Sequence, residues 1–421
     1  MISCLSFAIR LVPFRRMRLL LPGCLAVISL SVTLQAQPAG PFQPVHEYLQ
    51  QAVEDDLVAG GAVLVYHQGQ TVFQTGFGHA DRDSGRPFET ATPAIIASIS
   101  KPMLGTTLYR LVESGQLDPG RPVSGYLPLF LESRLESGEP LVRAPTLTEL
   151  LTHTSGLRSD YDEAGRIWFQ RWTRNGKLED VVNRIATDIP FKRSPGERRA
   201  YSGIGTEVAA RVGELVSGLP RNEMLQQHLC QPLGLTATFY RDKAGLEELN
   251  RTGSEMPTRY VRSKESGKLV AMSHRFVPDT HRYSSSGGTI VSTTADLLTW
   301  LLMIRNQGAH GDQVFLQPET VAELIRPHPV GNFAQGGLAV RETDEAGRPV
   351  VLGHTGSSGT AVFIDLRNDI ISIVLTQTEA RSDRGFRKEL ESRIRQAIKD
   401  RQLTERSGET KKRSGETNRS R

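Results

Sequence analysis

Hydrophobic positions near the start of the chain predict one helix followed by two strands. Between residues 44 and 58, apolar side chains recur every four positions, the spacing of one helical face: Val45, Leu49, Val53 and Leu57. Two mainly apolar stretches follow at 61–66 and 70–76, with His67-Gln68-Gly69 between them. This arrangement predicts two strands joined by a tight turn.

The last third of the chain repeats the strand and helix patterns. Helices are predicted at 294–306 and at 386–399. Three apolar stretches at 350–354, 360–365 and 370–375 are separated by short polar turns, which predicts three strands paired in sequence order. Another strand is predicted at 287–291.

Between about residue 116 and residue 280, the pattern indicates helices and long loops with few strand signals. Strands at both ends of the chain with helices between them predict an α+β fold. We expect one antiparallel sheet flanked by helices, built from about 42–115 and 281–401, and a mostly helical second subdomain at about 116–280. A cleft between these two parts is the expected place for chemistry.

Residues 1–36 have the composition of an export signal. Four arginines without any acidic residue precede a mostly apolar run from Leu19 to Leu34, and Gln35-Ala36-Gln37 offers a cleavage site. Translation from Met17 would give a more typical signal. The sequence therefore predicts an exported protein, periplasmic or extracellular. An uncleaved segment would instead anchor the chain to the membrane, although Pro22-Gly23 interrupts the apolar run.

The formal net charge of +5 belongs to the two ends of the chain. Residues 1–36 contribute +4 and residues 402–421 contribute +3, which leaves −2 for residues 37–401. Because residues 37–401 have no excess of basic side chains, the sequence does not support nucleic-acid binding. The segment 402–421 is polar and repeats Arg-Ser-Gly-Glu-Thr, so it is predicted to be a disordered tail.

The candidate chemistry lies in Ser98-Ile99-Ser100-Lys101, which follows an apolar approach. A helix is predicted to begin here and to end at Gly115, so that Ser98 lies near its cap and Lys101 lies on the same face. A serine hydroxyl becomes a good nucleophile when a neighbouring base takes its proton. Lysine can be that base if burial or nearby cations lower its pKa. Taken alone, such a pair is more often an N-cap serine beside a solvated lysine.

Two residues far away in the sequence, Tyr201 and His354, change this interpretation. They belong to short motifs that follow one another in a characteristic order over residues 45–398. The motifs are 78–87, Ser98-Ile99-Ser100-Lys101, 117–128, 150–157, Pro195-Gly196-Glu197 before Tyr201-Ser202, 232–235, Gly287-Gly288 and His354-Thr355-Gly356. In this order they resemble the serine β-lactamase and penicillin-binding-protein superfamily, in its class C β-lactamase-like branch. The fold implied by this resemblance is the β-lactamase/transpeptidase-like fold.

The resemblance also implies roles for individual residues. Ser98 would attack a carbonyl group and form an acyl-enzyme. Lys101 and Tyr201 would share the proton transfers, and Tyr201 would need adjacent ammonium charge because a free phenol titrates near ~10. The backbone N–H groups of Ser98 and Ser357 would form the oxyanion hole, beside the motif His354-Thr355-Gly356.

Three positions depart from the family pattern. Tyr201-Ser202-Gly203 has glycine where a side-chain amide is usual, His354 replaces a lysine, and Ala94 replaces an aromatic residue. Losing a polar contact that a substrate expects costs about 1–3 kcal/mol. We expect this loss to weaken recognition of acidic, amide-bearing β-lactams more than acyl transfer itself. His153 is expected to have a structural role.

The sequence therefore predicts an exported serine hydrolase of esterase or D-peptidase type, acting on a small ester, a β-lactam or a D-amino-acid peptide. The alternatives are a true class C-like β-lactamase or D-Ala-D-Ala carboxypeptidase, and a non-catalytic binding protein that keeps the fold. No cofactor or metal is predicted, since His-Glu-x-x-His and paired Cys-x-x-Cys ligand sets are absent from the sequence. Only Cys230 lies outside the predicted signal, so no intrachain disulfide is expected.

Overall fold

The computed structural model describes residues 40–159, 162–163, 177–272 and 283–417, with side chains as far as Glu405. The predicted export signal at 1–36 lies outside these residues. In the described part, the helices are α1 (Gln43–Glu54), α2 (Ser100–Glu113), α3 (Leu147–Leu151), α4 (Leu178–Asp188), α5 (Gly203–Ser217), α6 (Arg221–Leu225), α7 (Gln231–Leu233), α8 (Lys243–Arg251), α9 (Thr294–Arg305), α10 (Pro318–Leu324) and α11 (Phe386–Thr417). A helix long and apolar enough to cross a bilayer is not found among the described residues.

The strands form one large sheet and three small ones. They are β1 (Gly60–His67), β2 (Gln70–Asp81), β3 (Arg86–Pro87), β4 (Ala94–Ile95), β5 (Phe239–Tyr240), β6 (Tyr260–Arg262), β7 (Leu269–Ala271), β8 (Ile290–Ser292), β9 (Ala309–His310), β10 (Gln313–Val314), β11 (Ala339–Thr343), β12 (Pro349–Thr355), β13 (Ala361–Asp365) and β14 (Ile370–Thr376). The large sheet has the order β11-β12-β13-β14-β1-β2-β3, with antiparallel neighbours throughout. Both ends of the folded chain therefore build one sheet, as predicted.

Strand β1 lies inside the sheet and is buried along its whole length. Its residue Val63 pairs with Thr75 of β2 on one side and with Val374 of β14 on the other. The turn to β2 contains Gln68 and Gly69, both with positive φ, which is the backbone conformation that a tight hairpin needs. The predicted hairpin and the predicted meander of β12, β13 and β14 are confirmed.

Alternate side chains of β1 enter two different hydrophobic clusters, because successive residues of a strand point to opposite faces. Val63 and Val65 pack with apolar residues of α1 and α11. Ala62 and Leu64 belong to the largest cluster, which also contains residues of α2, α5 and α9. The sheet is thus covered on both faces, and its inner face meets the helical middle of the chain. The α+β, β-lactamase/transpeptidase-like fold is confirmed.

Two predicted elements differ from the structure. The strand expected at 287–291 is displaced: Gly287-Gly288 lies in a turn, and β8 (Ile290–Ser292) pairs with β4 and β5 in a separate small sheet. The final helix continues to Thr417 instead of ending near residue 399, so the segment predicted to be disordered from residue 402 is helical as far as Thr417. One ion pair between residues four apart, Arg401 with Glu405 at 2.9 Å, lies in the first part of this extension.

Candidate active site

Ser98 lies in a single 3₁₀ turn, Ala97–Ile99, immediately before α2 begins at Ser100. The sequence predicted a helix start here, and the structure adds a strained residue, since Ala97 has φ of 48°. A left-handed backbone at a residue with a β-carbon costs about 1–2 kcal/mol. The residues just before Ser98 are held by side chains from the turn between β12 and β13. Ser358 Oγ donates to the Ile95 carbonyl at 2.7 Å, and Thr360 Oγ1 donates to the Ile96 carbonyl at 2.9 Å.

The Lys101 amine lies one helical turn after Ser98, as the spacing predicted. The residue is only 5% exposed. The Nζ donates to Ser98 Oγ at 3.4 Å and to the carbonyl oxygen of Gly287 at 2.8 Å. A β-carbon on Gly287 would lie 2.9 Å from this Nζ, so a larger residue here would push the amine out of its present position. The lysine is therefore a buried group directed at the hydroxyl, and not a solvated surface residue.

Tyr201 reaches the same place from the segment that leads into α5. Its ring centre lies 5.1 Å from Lys101 Nζ. The backbone on both sides of the tyrosine is fixed by His153: the Ala200 N–H donates to the His153 carbonyl at 2.8 Å, and the Ser202 N–H donates to His153 Nδ1 at 3.2 Å. The two rings are in contact, with centres 4.2 Å apart.

His153 is fully buried and supports Tyr201 without facing the cavity that Ser98 lines. Burial, and then the nearby Lys101 charge, hold the pKa of His153 well below its usual value, so the ring is neutral. A neutral imidazole can accept at Nδ1 from the Ser202 N–H. The geometry therefore agrees with the structural role predicted for this histidine.

His354, Thr355, Gly356 and Ser357 follow one another at the end of β12 and line one cavity together with Ser98 and Tyr201. The cavity has a volume of about 660 Å³. A β-carbon on Gly356 would lie 2.5 Å from the Ile96 carbonyl oxygen. Because glycine has no side chain, the end of β12 can pack directly against the backbone that precedes Ser98. The predicted site residues, which are far apart in the sequence, are thus brought together.

His354 is a neutral group in the folded protein. Its Nδ1–H donates to the Thr355 carbonyl at 2.9 Å. Burial, and then the Lys101 charge, lower the pKa of His354 to about 3. It therefore does not supply the positive charge that lysine brings at this position in the family pattern.

Sequence reasoning missed several residues that the fold brings to this cavity. Phe333 packs between the rings of His153 and His354, with centre distances of 4.8 and 5.9 Å. It belongs to a loop without periodic pattern, so no local signal identifies it. The cavity is also lined by Ala339, Arg341, Glu379, Ala380, Arg381 and Arg387. Of the arginines, Arg387 is paired with Asp383 at 2.8 Å, whereas Arg341 and Arg381 are exposed.

A serine hydroxyl beside a buried amine and a tyrosine, in a cleft next to a glycine-containing strand end, is equipped for acyl transfer. Clusters of three or more His, Cys, Asp or Glu side chains that could hold a metal are absent from the described residues. The fold and this group of side chains define a protein of the serine hydrolase and acyltransferase type.

The chain belongs to the Beta-lactamase family, whose sequence pattern it matches over residues 45–395. Esterase EstB from Burkholderia gladioli is 28% identical over 362 residues, which cover 78% of this chain and 88% of EstB. The superfamily suggested by the motifs is thereby confirmed.

Two solved structures show the same fold. EstCE1, described as a hydrolase with promiscuous acyltransferase activity, matches with a TM-score of 0.70 and 23% identity, over 85% of this chain and 98% of EstCE1. The LovD6 mutant of simvastatin synthase from Aspergillus terreus matches with a TM-score of 0.68 and 20% identity, over 87% of this chain and 99% of the synthase.

Proposed function

We propose that the protein is a serine hydrolase that cleaves small carboxylic esters through an acyl-enzyme on Ser98. One observation supports this proposal above the others: the buried Lys101 Nζ lies between Ser98 Oγ and the Gly287 carbonyl, at 3.4 and 2.8 Å. An amine that is desolvated and directed at a hydroxyl is placed to help remove its proton. The similarity to Esterase EstB supports esters as the substrate class.

In the proposed reaction, Ser98 Oγ forms a bond to the ester carbonyl carbon while its proton passes to the Lys101–Tyr201 pair. The oxyanion of the tetrahedral intermediate accepts from the backbone N–H groups of Ser98 and Ser357. Collapse of the intermediate breaks the bond to the alkoxide, which leaves as an alcohol with the proton held by the pair. Water then attacks the acyl-enzyme by the same route and releases the acid.

The substrate preference follows from the groups around Ser98. His354 is neutral and Gly203 carries no side-chain amide, so two contacts that would favour an acidic, amide-bearing β-lactam are missing. Tyr201, Phe333 and the neutral His354 give the cavity an aromatic wall. An uncharged acyl group fits such a wall.

Hydrolysis of D-amino-acid peptides is the second candidate, because two exposed guanidinium groups, Arg341 and Arg381, line the same cavity. Guanidinium groups bind carboxylates with paired hydrogen bonds. A substrate with a free carboxylate would use these groups at the mouth of the site.

Active-site labelling and a substrate panel test these alternatives. We expect a fluorophosphonate probe to label the wild-type protein at Ser98 and to leave Ser98→Ala unlabelled. We expect p-nitrophenyl butyrate to be hydrolysed faster than a D-Ala-D-Ala peptide or a chromogenic cephalosporin. Absence of labelling would favour a non-catalytic binding protein, and efficient cephalosporin turnover without ester turnover would favour a β-lactamase.

Replacing Lys101 tests the role of the amine. We expect Lys101→Ala to lower kcat/KM by about three orders of magnitude or more, nearly as much as Ser98→Ala. When two residues act as a unit, removing either one abolishes most of the activity of the enzyme. Turnover of p-nitrophenyl butyrate measures this effect. Near wild-type turnover would remove Lys101 from the mechanism.

We also propose that the enzyme is exported and acts in the periplasm or outside the cell, on the basis of the arginines and the apolar run in residues 1–36. Cell fractionation and N-terminal sequencing of the purified protein test this. We expect a mature chain that begins after Ala36. A full-length chain in the membrane fraction would indicate an anchor, and a full-length chain in the soluble cytoplasmic fraction would contradict export.

A further inference from the structure

The Gly287 carbonyl that accepts from Lys101 belongs to a turn held by a buried carboxylate. Glu207, in the second turn of α5, has no exposed side-chain surface. Its carboxylate accepts hydrogen bonds from Tyr283 Oη at 2.5 Å, from Ser285 Oγ at 2.7 Å, and from the Ser286 N–H at 3.0 Å. These donors lie one to four residues before Gly287, so the carboxylate fixes the chain that leads to the carbonyl.

The charge of Glu207 is balanced by Arg221, which is also buried. The Arg221 Nη1 lies 3.9 Å from the Glu207 carboxylate and donates to Ser286 Oγ at 2.8 Å. The guanidinium also lies 4.6 Å from the ring centre of Tyr240 and 5.6 Å from that of Tyr283. Burial, and then the Glu207 charge, raise the pKa of Tyr283 well above its usual value, so its hydroxyl remains a donor.

This network lies directly behind the catalytic amine. A β-carbon on Gly287 would be 2.9 Å from Lys101 Nζ and 3.2 Å from Thr206 Cβ, so the turn is packed between the lysine and α5. Helix α5 also begins two residues after Tyr201. Helix α5 is therefore preceded directly by the segment with Tyr201, and its second turn carries the carboxylate that orients the Gly287 carbonyl.

We propose that Glu207 is a positioning residue for the acyl-transfer reaction, an inference that rests on the function proposed above. It fixes the 283–287 turn so that the Gly287 carbonyl holds Lys101 Nζ at Ser98 Oγ. A buried ion pair contributes little net stability, since apolar side chains often replace one without loss. We expect the Glu207–Arg221 pair to matter mainly because it fixes the position of Lys101 Nζ. A displacement of about 1 Å at a reacting group can lower the rate about a hundredfold.

The test compares two buried carboxylates. In Glu207→Gln the amide has only one oxygen for the three donors. The matched control is Asp296→Asn, since Asp296 is also buried and accepts from Thr238 Oγ1 at 2.7 Å and from the Ala237 N–H at 2.8 Å. Both variants are expected to lower the Tm. For p-nitrophenyl butyrate, we expect Glu207→Gln to lower kcat about tenfold or more with KM changed by less than about twofold, and Asp296→Asn to keep kcat within about threefold.

The rate of fluorophosphonate labelling at Ser98 gives a second readout, which should fall in parallel with kcat in Glu207→Gln. If this variant does not fold, Tyr283→Phe and Ser285→Ala each remove one donor to Glu207, and each should lower kcat about two- to fivefold. Unchanged kcat in the folded variants of this set would overturn the inference, as would an equal loss of kcat in Asp296→Asn. A wild-type protein that neither reacts with the probe nor hydrolyses esters would instead remove the proposed function, and this inference with it.

Discussion

At the scale of single residues, the site depends on close approaches that only certain side chains allow. Gly287 and Gly356 bring backbone to within contact distance of Lys101 and of the Ile96 carbonyl. The Ser98–Lys101 pair follows from helical spacing, and the ordered motifs identified Tyr201 and His354. Phe333, Glu207 and Arg221 were not identified, because their partners are distant in the sequence and their own neighbourhoods carry no special pattern.

The neighbouring glycines Gly287 and Gly288 allow a matched comparison. A β-carbon at Gly287 meets Lys101 Nζ at 2.9 Å, whereas at Gly288 the nearest atom is Ser285 Oγ at 3.9 Å. We expect Gly287→Ala to lower kcat about tenfold to a hundredfold, because the flexible amine moves away from Ser98. Gly288→Ala should stay within about twofold of wild type. Equal activity of both variants, measured on p-nitrophenyl butyrate, would contradict this account of Lys101.

The buried His354 makes stability depend on pH. Its pKa is about 3 in the folded protein against 6.5 as the ordinary value. The unfolded chain therefore binds more protons between these values, and stability falls as the pH drops below about 6.5. We expect His354 to account for a loss of about 2 kcal/mol in the free energy of unfolding between pH 7 and pH 5. His153, whose pKa is also lowered, acts in the same direction.

Urea unfolding at pH 7 and pH 5 measures this loss. The loss should be smaller by about 2 kcal/mol in His354→Gln than in wild type. The control is His79→Gln, at an exposed position of β2, which should keep the wild-type loss. An unchanged loss in His354→Gln would show that the buried imidazole is not the group that takes up the proton.

At the scale of elements, the sheet and its covering helices were predictable because their hydrophobic periods are strong. The meander β12–β14 and the β1–β2 hairpin have the predicted order. The small strand β8 was misplaced, because it is short and follows two glycines that extend the apparent strand pattern. The end of α11 was also misjudged: the helix continues to Thr417, and the pair Arg401–Glu405, four residues apart, lies in the first part of the continuation.

The apolar face of helix α11 packs against the outer face of the sheet and against α1, away from Ser98, Lys101 and Tyr201. Leu390 is fully buried among residues of α1 and β1. We expect Leu390→Ala to lower the free energy of unfolding by about 2–5 kcal/mol through the cavity it leaves. The exposed neighbour Lys388 should tolerate alanine within about 0.5 kcal/mol. Urea unfolding measures both, and KM should not change in either variant.

At the scale of the whole molecule, the inner face of the sheet and the helical block contribute to one large hydrophobic cluster. It contains Leu64 and Ile373 of the sheet, and Val182 and Ile204 of the helical block. The expected division into subdomains at about 116 and 280 followed from the distribution of strand signals, which does not reveal which apolar residues of the two parts contact each other. Contacts between such distant segments are set by tertiary packing, which local periodicity does not encode.

A shared core predicts cooperative unfolding. We expect loss of ester hydrolysis, near-UV circular dichroism and far-UV circular dichroism to follow the same thermal transition, because neither part keeps a complete core without the other. Loss of near-UV signal well below the far-UV transition would indicate that the helical block unfolds on its own. The buried Trp300, in α9, is a native reporter of the central cluster.

Helices α1 and α11 lie side by side on the outer face of the sheet, where Tyr48 stacks on Phe386 with ring centres 5.7 Å apart. The first and last core elements of the chain are therefore neighbours. A circularly permuted protein follows from this: a short linker can join the two ends of residues 40–405, while new ends are opened in an exposed turn such as the one at Gly138. We expect such a rearranged chain to keep Ser98, Lys101 and Tyr201 in place, because the new ends at Gly138 and the new linker leave the elements that carry these residues uninterrupted.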